Sequence, residues 1–385
     1  MTILTAPGNE SSVNNEMIFV TQDAKALDPV TYPNYKYVID VYVDGDLKAR
    51  LRATPDPVYS LGKFDVSVIL RDYVPAYGLK ANYANTTETY DINVAYTCKI
   101  GEEYGDTLYT NLVTDSERTC YKTYAPRPFL DSDVIGTITD GIASNMPMTM
   151  TGYKSEKWKI IPTFSNVTGV FFTYGVIGSD GSLISDEDLP YSGTNNINQF
   201  NVGFQKAIAN LALDQSDIDD AATVRIDLDG LQYYYINLIC SKYTPVTLAW
   251  LNPYGAYESQ SFGLVSKKQN QVSRKEFAQL PYQVNASGVV GYDSNGVMYG
   301  SKKGYASNVK VSLSLTSHLL TDDEYTWLAD LFNSPDVYFF STTLDRWAPC
   351  NIADSNYEYR TYKNSRLKPL QFTINFTDEY NSQYL

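Results

Sequence analysis

The chain has few of the residues that enzymes and metal sites most often use. Its 385 residues include a single histidine, His318. A catalytic triad built on His318 would need a neighbouring nucleophile, and no G-x-S-x-G motif supplies one. His318 follows an alternating segment and precedes a helix signal, so we interpret it as a loop or cap histidine. We therefore expect no enzymatic activity.

The four cysteines lie far apart, at Cys98, Cys120, Cys240 and Cys350. This spacing contains no C-x-x-C pair, so it gives no zinc or dithiol motif. Cys98 and Cys240 lie in strand-like segments, where we expect small buried apolar residues. A Cys98–Cys120 disulfide is the alternative in an oxidising compartment, but no secretory signal supports one.

Cofactor motifs are also missing. The sequence has no glycine-rich phosphate loop. Asp293-x-Asn295-Gly296 begins like a calcium loop, but its twelfth position is Gly304, where a bidentate glutamate is needed. The acidic run Asp186-Glu187-Asp188 is interpreted as a solvated loop, with weak cation binding as the alternative. We expect no metal and no cofactor.

Positive charge and long apolar runs are scarce as well. The net charge is −14, which argues against partners such as nucleic acid or an anionic membrane. No apolar run approaches the length of a membrane span. The first 16 residues are polar and do not resemble a signal peptide. Synthesis in a cytoplasm is the expectation.

Tyrosine and period-two alternation are abundant. The 34 tyrosines favour strands and wet interfaces. Apolar residues alternate with polar ones in many short segments, which predicts strands with one packed face and one solvated face. The clearest cases are Val224–Leu228, Val309–Leu315 and Phe372–Phe376. The pairs Asp44-Gly45 and Asn295-Gly296 predict tight hairpin turns.

Helix signals are few. Thr321 and Glu324 form a capping box before an apolar stripe that ends at Ser334-Pro335, which predicts a helix near 321–333. A shorter helix is predicted at Phe204–Leu213 and a turn after Phe64–Tyr73.

The fold class is therefore predicted as all-β, with two to three β-sandwich domains of Ig-like or galectin-like type and one short C-terminal helix. Pro-rich and polar linkers suggest a β-sandwich domain at 1–125, a second at 126–265 and a β domain carrying the capped helix at 266–385.

One segment is more specific than the rest. An aromatic strand, Tyr233–Cys240, precedes a second strand at Val246–Leu251 and the corner Trp250-Leu251-Asn252-Pro253-Tyr254-Gly255. The corner is predicted to be a hairpin turn, with Trp250 as a packing anchor rather than a ligand platform. This corner resembles a segment found in structural proteins of phages that infect Bacteroidota.

Two further stretches are similar to the same group. The first is an opening pattern that includes Tyr35-Lys36-Tyr37-Val38 and Phe64–Leu70. The second is a closing pattern that includes Trp327-Leu328, Ser334–Tyr338 and Pro349–Ile352. Together the three stretches cover most of the chain.

The resemblance implies a non-enzymatic virion protein that forms a homo-oligomeric ring or adaptor in the tail, neck or baseplate. Its expected partners are copies of itself and other virion proteins, and its expected location is the virion, after assembly in the host cytoplasm. Tyr254, Tyr257 and Tyr292 are predicted to be exposed aromatics near turns and are the candidate subunit contacts, with ordinary packing within a domain as the alternative for each. The alternative is a carbohydrate- or receptor-binding tail protein.

Overall fold

The computed structural model describes residues 1–74, 79, 87–90, 93–121, 141–165, 171–190, 196–228, 230, 232–278, 287–288, 300–353, 368–376 and 380–381. Within these residues the protein is all-β, with several sheets and a few short helices. The predicted fold class is confirmed. No helix in the described ranges is both long enough and apolar enough to cross a membrane.

The N-terminal part forms two sheets around one apolar core. A three-stranded sheet has the order β1-β3-β6, and a larger sheet has the order β2-β10-β8-β4-β5 with β9 on β8. Phe19 and Phe64 from the first sheet share a buried cluster with Tyr37, Val41 and Ile100 from the second. The strands are β1 (Thr2–Thr5), β2 (Glu10–Ser12), β3 (Ile18–Gln22), β4 (Lys36–Val43), β5 (Asp46–Ala53), β6 (Leu61–Asp65), β8 (Asn93–Tyr104), β9 (Thr107–Thr114) and β10 (Arg118–Tyr121).

Two further sheets follow. One has the order β11-β13-β16-β7 and the other the order β12-β18-β17-β14-β15. Their strands are β7 (Thr87–Tyr90), β11 (Gly141–Ile142), β12 (Thr149–Tyr153), β13 (Ile160–Ser165), β14 (Phe171–Gly178), β15 (Leu183–Pro190), β16 (Asn196–Asn201), β17 (Ala221–Leu228) and β18 (Gln232–Ile239).

The C-terminal sheet is the largest. Its order is β20-β19-β23-β24-β25-β22-β21, with β26 on β22. Its strands are β19 (Val246–Leu251), β20 (Tyr257–Phe262), β21 (Val265–Ala278), β22 (Lys302–Leu320), β23 (Val337–Ser341), β24 (Arg346–Ile352), β25 (Lys368–Phe376) and β26 (Tyr380–Asn381).

Strand pairing crosses both of the predicted domain boundaries. β7 pairs with β16, although the boundary was placed at 125. β19 pairs with β23, although the boundary was placed at 265. One apolar cluster also joins Ile161 and Phe172 to Leu315 and Phe372. Sheet membership therefore differs from the predicted division at these two strands.

Five α-helices are described: α1 (Ser67–Leu70), α2 (Phe204–Asn210), α3 (Gln215–Asp220), α4 (Asp322–Trp327) and α5 (Ala329–Asn333). A 3₁₀ turn covers Ala24–Leu27. The predicted capping box of Thr321 and Glu324 is present at the start of α4. The predicted single helix is interrupted at Leu328, which ends α4 and precedes α5.

The strand patterns and most hairpin turns are confirmed. Val224, Ile226 and Leu228 are buried on one face of β17. Asp44 and Gly45, between β4 and β5, both have positive φ, as a type I′ turn requires. Asn295-Gly296 lies outside the described residues. The corner at Asn252 joins β19 to β20, whereas the aromatic strand β18 belongs to a different sheet.

The cysteine predictions need one correction. All four cysteines are free, and Cys240 is exposed because it lies just past the end of β18. Cys98 and Cys120 are buried on adjacent strands, but Cys120 is opposite Val94. An offset of four residues is about 13 Å along a strand, well beyond the separation that a disulfide spans.

In the N-terminal core, the backbone of Gly62 lies directly against the ring of Tyr37, and a substitution at Gly62 tests this packing. A Cβ at Gly62 in β6 would lie 2.5 Å from Tyr37 Cγ. Tyr37 cannot move away, because it is fully buried and its hydroxyl donates to the Ser60 carbonyl at 2.7 Å. We predict that Gly62→Ala lowers the free energy of unfolding by about 1–3 kcal/mol in urea titrations.

The matched control for this change is Gly304→Ala. A Cβ there has its nearest neighbour 3.9 Å away, at the Lys275 carbonyl. Equal effects of the two substitutions would contradict the packing described around Tyr37.

Candidate functional site

Strand β20 is buried along its whole length although most of it is polar. It lies at the edge of the C-terminal sheet, and its side chains reach the two central sheets. Ser259 Oγ accepts a hydrogen bond from the backbone N–H of Ile160 in β13 at 2.7 Å. The Gln260 amide donates to the Thr151 carbonyl in β12 at 3.1 Å. This strand therefore joins three sheets through hydrogen bonds.

A buried lysine lies beside β20. Lys159 is 1% exposed, and its ammonium group donates to Gln260 Oε1. The same ammonium is 5.0 Å from the centroid of the Trp327 ring. Burial lowers the pKa of Lys159, and the charges of Glu156, Glu324 and Glu258 oppose that effect. The ammonium group is thus held by Gln260, by the face of Trp327 and by the charges of the surrounding carboxylates.

Two of these carboxylates have a raised pKa. Burial raises the pKa of Glu156, in spite of the nearby Lys159. Burial raises the pKa of Glu258 to about 7, although hydrogen bonding, first of all from Ser144, acts in the opposite direction. The Ser144 hydroxyl donates to Glu258 Oε2. Glu258 therefore binds its proton at a higher pH than an exposed glutamate does.

The third carboxylate is held by four donors. Glu324 Oε1 accepts from the Thr151 backbone N–H at 2.7 Å and lies 3.3 Å from His318 Nε2. Glu324 Oε2 accepts from the backbone N–H of Thr321 at 2.9 Å and from its hydroxyl at 3.2 Å. Burial alone would raise the pKa of Glu324, but the hydrogen bonds from His318 and the backbone bring it below its usual value.

We call Glu156, Lys159, Glu258, His318 and Glu324 the ionic cluster. Each member is at most 5% exposed. Acid–base groups are present, but their surfaces are closed to a substrate in this conformation. The arrangement therefore supports a structural link between β12, β20, β22 and α4.

The predicted role of Trp250 agrees with this environment. Trp250 is fully buried, and its ring centroid lies 5.3 Å from that of Trp327. Neither ring offers a face to solvent.

The candidate contact aromatics have different environments. Tyr257 is 1% exposed, and its hydroxyl donates to Asp336, so the prediction that it is an exposed aromatic is wrong. Its ring packs edge-on against Tyr338. Tyr254 is half-buried and donates to Asn145 Oδ1 at 2.9 Å. Tyr292 lies outside the described residues.

The interpretation of His318 is also corrected. The histidine lies inside β22, which continues to Leu320, and it is buried against Glu324 and Tyr153. The sequence showed Glu324 only as a capping residue, and it gave no signal for Glu156, Lys159 or Glu258. Polar residues in a strand suggest a solvated face, whereas β20 is covered on both sides.

A second feature lies on the surface. β21 has 14 residues, about 46 Å of strand, and every residue from Ser266 to Ala278 is exposed. β21 is the last strand of its sheet, and no other described strand pairs with its outer edge. Between Lys302 and Ser307, β22 pairs with β21 alone within the described ranges. We call β21 with Lys302–Lys310 of β22 the ribbon.

The ribbon exposes large apolar side chains. Val272 is 45% exposed, Phe277 46% and Tyr305 54%. The rings of Phe277 and Tyr305 lie 6.3 Å apart on neighbouring strands. Such an aromatic pair on an exposed ribbon is a typical anchor for a protein partner.

Comparisons with known proteins identify no family. No protein-family model matches the chain, and no curated protein matches it. One similar solved structure is a "Biofilm associated protein - BSP domain", with 9% sequence identity and a TM-score of 0.16. The match covers 77% of this chain and 60% of that chain. A likeness at this score carries no functional argument.

The ionic cluster predicts a large difference between two neighbouring lysines. Lys159→Met keeps the aliphatic stem but leaves the buried carboxylates without their cation, and we expect a loss of about 3–5 kcal/mol in the free energy of unfolding. Lys157→Met removes a half-exposed ion pair with Asp345, so we expect a loss below about 1 kcal/mol.

Denaturation followed by tryptophan fluorescence measures both changes. Trp327 lies against Lys159 and Trp250 packs on Trp327, so their emission reports this region. Similar losses for the two variants would show that Lys159 does not neutralise the cluster.

The raised pKa of Glu258 predicts a pH dependence. Between its ordinary pKa of 4.5 and about 7, the folded protein binds more protons at Glu258 than the unfolded chain does. The free energy of unfolding therefore falls as pH rises through this window, by roughly 3 kcal/mol from this group alone. Glu258→Gln should remove this contribution.

Urea titrations at about pH 5 and about pH 8 test it. The decrease in stability between the two pH values should be smaller in Glu258→Gln than in the wild type. Glu117→Gln, at an exposed position, is the control and should follow the wild type. Parallel curves for all three proteins would contradict the raised pKa.

Proposed function

We propose that this protein is a non-enzymatic structural subunit of a bacteriophage particle, which assembles with copies of itself into a ring or adaptor in the tail, neck or baseplate. The observation that supports this proposal most directly is the exposure of the ribbon. A strand exposed on both faces, whose outer edge pairs with no strand among the described residues, offers backbone groups with which another chain can pair. The end of the ribbon, where β21 pairs with β22 alone within the described ranges, is only marginally stable by itself, so a partner would stabilise it.

Three further features support the proposal. The Trp250 corner and the two flanking stretches resemble segments of phage structural proteins, and this resemblance is the reason for proposing a phage particle. Strand β20 and the ionic cluster together join three sheets, which suits a subunit that must stay rigid in an assembly. The acidic net charge of −14 keeps unassembled copies apart from nonspecific partners.

The alternative, a carbohydrate- or receptor-binding tail protein, has less support. Sugar rings stack on exposed aromatic faces, and Trp250 and Trp327 are both buried. Binding by such a protein would have to use exposed tyrosines such as Tyr243. A glycan array with the purified protein distinguishes this alternative.

The proposal predicts defined homo-oligomers. Native mass spectrometry and negative-stain electron microscopy of the purified chain should show one closed assembly of fixed subunit number. Mass spectrometry of purified virions should detect the chain as a particle component. A protein that stays monomeric at all concentrations and is missing from virions would refute the proposal.

A further inference from the structure

The ribbon is strongly basic in an acidic protein. β21 carries Lys267, Lys268, Arg274 and Lys275 against one acidic residue, Glu276. The facing part of β22 adds Lys302, Lys303 and Lys310 and no acidic residue. The ribbon therefore has a net charge of +6, while the whole chain has −14. These basic residues lie along a sheet edge that has no partner strand in the described part of the chain.

A second open edge carries the opposite charge. β15 is the last strand of the five-stranded central sheet, and in the described part of the chain its outer edge pairs with no strand. It contains Asp186, Glu187 and Asp188, with no basic residue. Asp186 and Asp188 are exposed.

The charge of β15 is only partly compensated within the chain. Tyr174 donates to Glu187 at 3.0 Å, and the Thr173 hydroxyl donates to Asp188, so both partners are neutral. Arg225 lies 3.7 Å from Asp186, whose side chain remains 44% exposed. Asp180 and Asp220, at the adjoining turn and at the end of α3, extend the acidic surface.

We propose that β21 of one copy pairs edge to edge with β15 of a second copy, which joins the two sheets across the subunit boundary. This inference rests on the proposed homo-oligomer and names its contact. β15 offers eight residues of edge, about 26 Å, and β21 offers fourteen, so the longer strand covers the shorter one fully. Backbone hydrogen bonds supply the pairing, and the opposite charges select its partner.

The contact has a definite symmetry. β15 and β21 are different surfaces of the same chain, so each copy uses one edge to bind and the other to be bound. Such a heterologous contact produces a ring when the rotation closes. Since the contacting charges are near the surface, assembly should weaken as salt concentration rises.

Charge reversal of either edge tests the pairing. Lys267→Glu with Lys268→Glu makes the β21 edge acidic, and Asp186→Lys with Asp188→Lys makes the β15 edge basic. Each double variant alone places like charges together, so its dissociation constant should rise at least about tenfold in sedimentation velocity. Mixing the two variants should restore assembly, because each acidic β21 then meets a basic β15.

The matched control is Lys63→Glu with Lys242→Glu, at two exposed positions outside both edges. It should assemble like the wild type. Circular dichroism checks that every variant is folded, and Asp186→Asn with Asp188→Asn replaces the lysine variant if that one unfolds.

Carbodiimide cross-linking gives an independent measurement. It should join lysines of β21 to carboxylates of β15, and mixing ¹⁴N and ¹⁵N copies shows whether the linked peptides come from different chains.

The results of these experiments distinguish failure of the β15–β21 contact from failure of the proposed function. If the wild type forms oligomers and both reversed variants do so equally well, the β15–β21 contact is wrong while the proposed function stands. If the wild type stays monomeric at all concentrations and is missing from virions, the proposed function itself fails and the contact fails with it. If reversal of β21 abolishes binding of a labelled oligonucleotide and leaves assembly unchanged, the ribbon binds nucleic acid and the inference is overturned.

Discussion

The buried carboxylate of Glu324 is the interaction on which the main body of this protein depends. It accepts hydrogen bonds from Thr151 in β12 and Thr321 at the start of α4, and it contacts His318 in β22. An ionised group without donors would cost several kcal/mol in this environment. The three elements are therefore confined to the positions from which their donors reach one carboxylate, and the packing of the central and C-terminal sheets follows from that restriction.

Strand β20 extends the same constraint. Its polar side chains bond to β12 and β13, so an edge that would otherwise be open is covered by neighbouring sheets. The strands β15 and β21 have no such cover within the described structure. One set of edges is thus closed by polar contacts inside the chain, and the other set remains available for contacts between chains.

Local patterns predicted much of the fold. Alternation marked strands such as β17 because one of their faces packs and the other meets water, and the capping box marked the start of α4. The ionic cluster could not be found this way, because β20 is buried on both sides and its polar residues mimic a solvated face. Tyr257 follows a turn, and only tertiary packing against Tyr338 shows that it is buried. Pairings such as β7 with β16 join distant segments and leave no local signature.

The edges of β21 and β15 carry charges of opposite sign, and this difference indicates what the two edges do. Charged residues on an edge strand commonly prevent aggregation, and lysine is the usual choice. Protection of this kind works best when every open edge carries the same sign, because copies then repel each other in all arrangements. Here β21 is basic and β15 is acidic. Each of these two edges repels a copy of itself and attracts the other, so of the contacts between them the head-to-tail one is favoured.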